Sequence, residues 1–522
     1  MAEARARVAG VEARAGKFPG PSLIPALNAI QQRVGWLPRA ELVALSQDVH
    51  RPLYEIEGLI SFYPHFRTDP PKPVELRACH DLSCWLRGGD ETIAALRARY
   101  AADTDVTVAE GSCLGRCELA PACTVNEEPH PMDGAGDAVE AARQASARHD
   151  RDDHASHDST HFPSSPAVAI WPNDPYPTAA DRYALVREVL AGRREILRII
   201  GALKDSGLRG MGGAGFPTGR KWEMVAGQPA MPRYVICNAD ESEPGTFKDR
   251  QILANQPHLV LEGMLLAMIA VDAEEAWVFI RHEYGPEERV IRAEIDHLRD
   301  IGLIGPDVAG TGRRLNIEVF TSPGGYILGE ESALLECMEG HRGEPRNKPP
   351  FPASYGLHGK PTLMNSVETF AHVPVIGLRG ADWWNAQGAP PAADATHVGL
   401  KFFAVSGHVE RPGVYCVPMG TTARELLDLA GGVTGGQELG AIQPGGASSN
   451  FIGPDQLDVE LDFGTLAAAG SMLGSGAMVV MAKGTDLLAA AVNVLRFFRD
   501  ESCGKCVPCR VGSTKSHLML TD

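Results

Sequence analysis

Seven of the eleven cysteines crowd into two short regions, and this limits what the chain can be. Cys79, Cys84, Cys113 and Cys117 form one group, and Cys503, Cys506 and Cys509 form another. Cys123, Cys237, Cys337 and Cys416 are scattered. The stretch from Met1 to Ser22 is rich in Ala and Arg and lacks the apolar run of a secretory signal. A cytoplasmic location is therefore expected, and thiols kept reduced there serve metal or redox chemistry more often than disulfides. Zinc sites prefer Cys-x2-Cys spacing. The first group has gaps of four and three residues on two separate loops, which suits a 2Fe–2S cluster needing four thiolates. The second group is a Cys-x2-Cys-x2-Cys run, the spacing of three ligands of a 4Fe–4S cluster. No cysteine follows Cys509 before Asp522, so the fourth ligand is expected from outside this chain. The scattered cysteines are expected to be core thiols, Cys123 among them.

A length of 522 residues predicts three or four domains. With 44% apolar and 22% charged residues, the composition is that of a globular protein. The net charge of −17 argues against nonspecific binding to nucleic acid or anionic membranes. No apolar run reaches the roughly 18–20 residues of a membrane helix.

Helical spacing of Leu23, Ile24, Leu27, Ile30 and Val34, closed by Gly35, opens a small helical module over residues 1–72. Two more short helices follow, one around Leu42, Val43 and Leu45 and one opened by Pro52. The module is expected to dock or pack and carries no catalytic constellation. Residues 73–150 read as an α/β unit. Val74, Leu76 and Ala78 alternate into Cys79, Glu91 to Tyr100 is helical, and Val106 and Val108 lead to the second cysteine pair. Linker character begins at residue 131, and the linker proper is drawn over 151–180. Its His149, His154, His157 and His161 are read as a solvated hydrophilic tract and not a metal site. Residues 181–395 alternate helices and strands as a layered α/β domain. One helix is expected over 181–205, strands at Val235–Ile236, Ala276–Ile280 and Leu315–Phe320, and helices at Leu259–Val271 and Gly329–Gly340. Residues 396–485 form a small β domain with one helix, Thr422–Leu429. Residues 486–522 are helical again, and there is no internal repeat.

Two segments in the largest domain carry binding chemistry. Gly207 to Trp222 holds six glycines in sixteen residues, with Arg209, Arg220 and Lys221 beside them. Such a loop lets backbone N–H groups approach phosphate. It is neither a Walker loop nor a clean Rossmann fingerprint. Cys237 to Arg250 begins as a strand and ends in Asn238-Ala239-Asp240-Glu241, placing amide and carboxylate groups at a strand tip. A simple Asx turn with solvated acids is the competing reading.

These segments, with Gly324 to Glu336, Gly343 to Ala353 and Asn365 to Thr369, resemble the flavin-binding core of the NADH-oxidising flavoprotein of respiratory complex I. The first cysteine group, with Ala26 to Gln31 and Ser61 to Phe66, resembles the thioredoxin-like 2Fe–2S ferredoxin component of the same complex. Residues 396–485, through Pro444 to Ser448 and Leu461 to Phe463, resemble the β-grasp module that follows the flavin domain. The resemblance implies a multidomain α/β fold. Its parts are an N-terminal helical module, a thioredoxin-like ferredoxin domain, an FMN- and NAD-binding domain, a β-grasp domain and a C-terminal helical Fe–S domain.

Carried over residue by residue, the resemblance implies FMN contacts at Gly210, Gly212, Lys221, Asn238, Asp240, Ser242, Tyr326, Gly329, Glu330, Glu331, Asn365 and Ser366. It implies NAD(H) contacts at Phe216, Glu243, Lys348 and Phe351. It implies a 2Fe–2S cluster on Cys79, Cys84, Cys113 and Cys117, and a 4Fe–4S cluster on Cys503, Cys506 and Cys509. Four departures stand out. Ser366 replaces a second Asn, Leu328 replaces a frequent Cys, Pro323-Gly324 replaces a Gly-Ala pair, and Met224 replaces an aromatic beside the adenine.

Nicotinamide exchanges hydride and iron–sulfur clusters exchange single electrons, so flavin between them implies an oxidoreductase with no catalytic side chain. Fusion of the two units resembles both the β subunit of NAD-dependent molybdenum or tungsten formate dehydrogenases and the diaphorase subunit of NAD-reducing nickel–iron hydrogenases; Trp383-Trp384, the stretch from Phe402 to Gly407 and the intact first cysteine group resemble the former more closely. That implies a diaphorase working with a large molybdopterin-type formate-oxidising subunit. The alternatives are the diaphorase subunit of an NAD-reducing nickel–iron hydrogenase, a complex I flavoprotein, and a noncatalytic electron-relay or assembly protein.

Overall fold

The computed structural model describes residues 22–147, 171–390 and 398–521. The His-rich tract at 149–161 lies outside them. Twelve strands form three four-stranded sheets among the described residues.

The N-terminal module is three helices, Leu23–Val34, Arg39–Asp48 and Leu53–Ile60. Ser22 caps the first, its hydroxyl accepting from the Ile24 N–H at 3.4 Å, and Gly35 ends it at a positive φ. The apolar stripe of Leu23, Ile24 and Leu27 is buried against Ile236, Phe279, Phe320 and Leu334 of the central domain. Asn28 Nδ2 donates to the Thr321 carbonyl at 3.0 Å, and Tyr63 Oη donates to the His341 carbonyl at 2.6 Å. The module is thus a packing unit that covers one face of the central sheet.

The first sheet comprises β1 (Val74–Cys79), β2 (Val106–Gly111), β3 (Ala122–Val125) and β4 (Glu128–Pro131), in the order β2-β1-β3-β4. β1 and β2 run parallel, and the other pairs run antiparallel. Val74, Leu76 and Ala78 point inward as their alternation requires. Cys123 sits in this core, and burial pushes its thiol up to about 12. Where composition suggested linker from residue 131, the helix Ala135–Ala147 packs onto the sheet through Ala135 and Val139. Its short alanines leave only a weak apolar stripe for a sequence reading to find.

The central sheet is fully parallel: β5 (Tyr234–Ala239), β6 (Glu275–Arg281), β7 (Asn316–Ser322) and β8 (Thr362–Ser366), in the order β7-β6-β5-β8. Alternation splits its faces. Ile236, Phe279, Phe320 and Met364 meet the N-terminal module. Cys237, Val278, Ile317 and Leu363 meet the core with the helices Pro257–Val271 and Val367–Arg379. The expected helix over 181–205 is two helices, Ala184–Leu190 and Ile196–Asp205. Gly192, at φ +69°, turns the chain between them.

The third sheet has β9 (Leu400–Gly407), β10 (Gly413–Pro418), β11 (Leu439–Gln443) and β12 (Ala477–Ala482), in the order β10-β9-β12-β11. A central parallel pair, β9 with β12, flanked by antiparallel edges and the helix Ala423–Leu429, is the β-grasp arrangement. The chain then forms the helices Leu487–Asp500 and Val507–Thr521. Cys237 and Cys337 are fully buried, and Cys416 is half-buried. No single helix among the described residues is long and apolar enough to cross a membrane.

Candidate functional site

The parallel sheet fixes where a ligand can bind. β5 ends at Ala239, and the chain turns away so that Asp240 to Glu243 lie beyond the strand tip, at the carboxyl edge. Here a cavity of about 320 Å³ opens, within the range of ordinary ligand pockets. It is lined by Gly212, Asn238, Asp240, Glu241, Ser242, Glu243, Thr246, Lys248, Asp249, Tyr326, Ile327, Gly329, Glu330, Ser366 and Ser475. Four sequence blocks and the loop before β12 therefore meet in one hollow.

The Asx turn is present, with the Asp240 N–H donating to Asn238 Oδ1 at 3.1 Å. It shapes the cavity wall, so turn and binding edge are one structure. Asn238 Nδ2 donates to the Gly329 carbonyl at 2.9 Å and ties β5 to the Tyr326–Gly329 turn. Asp240 accepts from the Ser242 and Ser322 hydroxyls. Burial pushes its carboxyl up to about 7 against the pull of Arg281. Burial also raises Glu241, although the Asp249 and Arg250 N–H groups donate to its carboxylate at 2.8 and 3.0 Å. Glu243 accepts from Tyr326 Oη at 2.6 Å, and from the Ser448 N–H and hydroxyl at 2.8 Å each. It joins the flavin-type domain to the β-grasp domain at the cavity rim.

The glycine-rich loop closes on itself, the Gly210 N–H donating to the Phe216 carbonyl at 2.8 Å. Of its residues, Gly212 reaches the cavity lining and Gly210 does not. Lys221 and Asn365 support the wall from behind. Lys221 Nζ donates to the Met364 carbonyl at 3.0 Å, and Asn365 Oδ1 accepts from Trp222 Nε1 at 3.1 Å. Burial lowers the Lys221 ammonium. Lys348 pairs with Glu330 at 2.8 Å and Glu331 at 2.6 Å. Phe216 and Phe351 are 39% and 55% exposed, and the Lys221 ammonium lies 5.9 Å from the centre of the Phe216 ring. Phe216, Lys348, Phe351 and Glu331 lie outside the cavity lining.

Sequence reasoning placed Glu241 at the strand tip without giving it a ligand, and did not single out Thr246, Lys248, Asp249, Ile327 or Ser475, all of which line the cavity. Thr246, Lys248 and Asp249 lie in a block whose neighbours were chosen, so proximity was their only signal. Ser475 comes from the β-grasp domain and bonds Thr246 across 2.6 Å, a contact that only tertiary packing creates. Lys248 is buried and pairs with Asp249 at 2.7 Å and Glu368 at 2.9 Å. Glu368 also holds Lys401 of the β-grasp domain at 2.7 Å. Burial lowers Lys401 to about 8 despite that carboxylate.

The first cysteine group is brought together. Cys79, Cys84, Cys113 and Cys117 are 2–3% exposed, and the Cys113 and Cys117 Sγ atoms lie 3.5 Å apart. The Gly115 N–H donates to Cys113 Sγ at 3.4 Å. Four buried thiols on two facing loops fit a 2Fe–2S cluster by donor chemistry and count. Cys503 is half-buried, and Cys506 and Cys509 are exposed before and within the last helix. The three thiols thus lie within seven residues of chain around the start of that helix.

The cluster loop and the cavity share a buried interface. Arg116 forks onto Glu287 with two bonds of 2.7 Å. Arg250 pairs with Glu118 and donates to the Gly115 carbonyl at 2.8 Å. Gly115 has φ +65°, and a Cβ there would collide with the Tyr284 ring. Glu501, from the C-terminal segment, accepts from Ser112 of the cluster loop and from the Tyr326 N–H at the cavity rim.

Comparison with known proteins agrees with this geometry. The Nuo51 FMN-binding domain family matches residues 203–375, and the thioredoxin-like 2Fe–2S ferredoxin family matches 15–140. The SLBB domain matches 402–448, and the NADH-ubiquinone oxidoreductase-F iron-sulfur binding region matches 489–522. A second F-type component of the NADH-quinone oxidoreductase of Rhizobium meliloti is 44% identical over 335 residues, 64% of this chain and 78% of its own. The HndC component of the NADP-reducing hydrogenase of Solidesulfovibrio fructosivorans is 43% identical over 323 residues, 62% of this chain and 65% of its own. A solved structure of an air-oxidised NAD+-reducing NiFe-hydrogenase superposes with a TM-score of 0.80 at 31% identity, covering 96% of this chain and 84% of its own. FMN, NAD(H), a 2Fe–2S cluster and a 4Fe–4S cluster are the cofactors, and the chain is an NAD-dependent oxidoreductase of the diaphorase type. It belongs to the family of F-type components of NADH-quinone oxidoreductases.

Proposed function

We propose that this chain is the NAD-reducing diaphorase subunit of a formate dehydrogenase. It would exchange electrons with a large molybdenum- or tungsten-cofactor subunit that oxidises formate. The observation that carries the reading is the fusion with its first cysteine group intact. Four buried cysteines of a ferredoxin-type domain share a buried interface with a flavin-type cavity in a single chain. FMN supplies the step between two-electron hydride exchange and one-electron transfer. The chain's part is to hold and orient. Gly210, Gly212, Lys221, Asn238, Asp240, Ser242, Tyr326, Gly329, Glu330, Glu331, Asn365 and Ser366 would form the FMN bed. Phe216, Glu243, Lys348 and Phe351 would seat NAD(H) at its mouth. The 2Fe–2S cluster would sit on Cys79, Cys84, Cys113 and Cys117, and three 4Fe–4S ligands would be Cys503, Cys506 and Cys509.

A second reading, the diaphorase subunit of an NAD-reducing nickel–iron hydrogenase, draws on the solved hydrogenase structure that spans 96% of this chain. Isolation of the native complex separates the two. A partner containing molybdenum or tungsten, with formate-dependent NAD reduction, supports the first. A nickel–iron partner with hydrogen-dependent NAD reduction overturns it in favour of the second. NAD reduction by formate with this chain alone would overturn the need for any partner.

A further inference from the structure

Arg281 ends β6 and is buried at the seam between the cluster loop and the cavity. Its guanidinium makes two bonds that no other side chain combines among the described residues. Nη2 donates to the Cys113 carbonyl at 2.6 Å, and Nη1 donates to the Glu241 carbonyl at 2.7 Å. Cys113 belongs to the proposed 2Fe–2S ligand set, and Glu241 lines the flavin cavity. The remaining edge faces Glu283, with Nε donating at 3.0 Å and Nη2 lying 2.9 Å from the other oxygen. The Tyr284 ring sits 5.1 Å from the guanidinium carbon, and its hydroxyl donates to the Glu241 carboxylate at 3.0 Å. The neighbouring Arg250 also holds the loop, through the Gly115 carbonyl, but its charge is shared between Glu118 and Glu287.

We infer that Arg281 is a positioning residue for electron exchange: one guanidinium fastens the 2Fe–2S loop to the flavin cavity wall, and its charge favours the reduced cluster. An electron arriving at a buried cluster adds negative charge where the dielectric is low. A fixed cation bonded to a ligand's own carbonyl stabilises that state, and hydrogen bonding and burial are recognised levers on cluster potential. Arginine suits the place because its planar fork serves two carbonyls and a carboxylate at once. The inference rests on the proposed assignment of Cys79, Cys84, Cys113 and Cys117 as the ligand set.

The test is a redox titration of the full chain, followed by electron paramagnetic resonance, with Cys113→Ser identifying the 2Fe–2S signal. Arg281→Gln keeps a hydrogen-bond donor and removes the charge. The reduction equilibrium of that cluster should fall about tenfold, a midpoint about 59 mV more negative for one electron. Arg281→Lys keeps the charge and should stay near the parent midpoint. Glu283→Gln removes the opposing charge and should move the midpoint upward. A parent midpoint in Arg281→Gln overturns the inference. Should Arg281→Gln assemble no cluster, Glu283→Gln decides, and an unchanged midpoint there overturns it. A full signal in Cys113→Ser would instead overturn the ligand assignment on which the inference stands.

Discussion

Glu243 illustrates how much one side chain can hold. Its carboxylate accepts three hydrogen bonds, from Tyr326 and Ser448, and so closes the rim between two domains. Its place beyond Asn238 and Asp240 along the strand tip puts it on the proposed nicotinamide side. Glu243→Ala should raise the KM for NADH about tenfold, near 1.4 kcal/mol, with flavin content retained. Steady-state kinetics with a flavin count checks this, and flavin loss at an unchanged KM would contradict it. Asp240 gives a pH-dependent counterpart. Its folded pKa of about 7 lies above the unfolded value of about 3.9. Its contribution to stability is therefore fully present below pH 4 and is lost as pH rises through 7. Asp240→Asn should gain on the parent protein across that window, by up to about 1.4 kcal/mol per pH unit. Melting temperatures at pH 5, 6, 7 and 8 measure the difference, and a pH-independent offset would contradict it. At this scale the cysteine groups and the Asn238–Ser242 tip are legible in the sequence, because their residue types are chemically narrow. Lys248 is not, because a lysine opening a helix is ordinarily solvated, and only tertiary packing buries it.

Elements are legible where a period is long or a breaker is present. The helix Pro257–Val271 and strands β5 to β7 follow from apolar runs bounded by turns. β8 escapes a sequence reading because Thr362–Ser366 is five residues long and partly polar. It is a strand because it adds in parallel register to β5, pairing Cys237 with Asn365. The break at Gly192 is visible as a glycine, but the surrounding apolar spacing continues through it. Helix contact sets another constraint that periodicity does not show. At Gly263 the Pro257–Val271 helix approaches the Val367–Arg379 helix so closely that a Cβ would overlap the Phe370 backbone. Backbone cannot move aside as a side-chain tip can. Gly263→Val should cost about 2–3 kcal/mol and lower the melting temperature by several degrees. An unchanged melting curve would contradict this packing.

At the scale of the molecule, the parts are locked and not strung together. Arg116 with Glu287, Arg250 with Glu118, and Lys401 with Glu368 are buried ion pairs between different domains. Removing one partner of such a pair leaves an uncompensated buried charge, so these pairs fix orientation more than they add stability. Residues 171 apart in sequence make the Arg116 fork, which explains why the chain reads as separate domains in sequence although the structure joins them. The cavity itself takes walls from the central and the β-grasp domains, and Glu501 ties the C-terminal segment to its rim. This joined structure passes electrons between NAD(H) and its iron–sulfur clusters through flavin. The direct measurement is the visible spectrum of the purified chain during anaerobic addition of NADH. A bound flavin should be present whose visible absorbance bleaches on NADH addition, with NADH-dependent dye reduction. A chain that carries no flavin, and neither bleaches nor reduces dye after FMN is supplied, would contradict it.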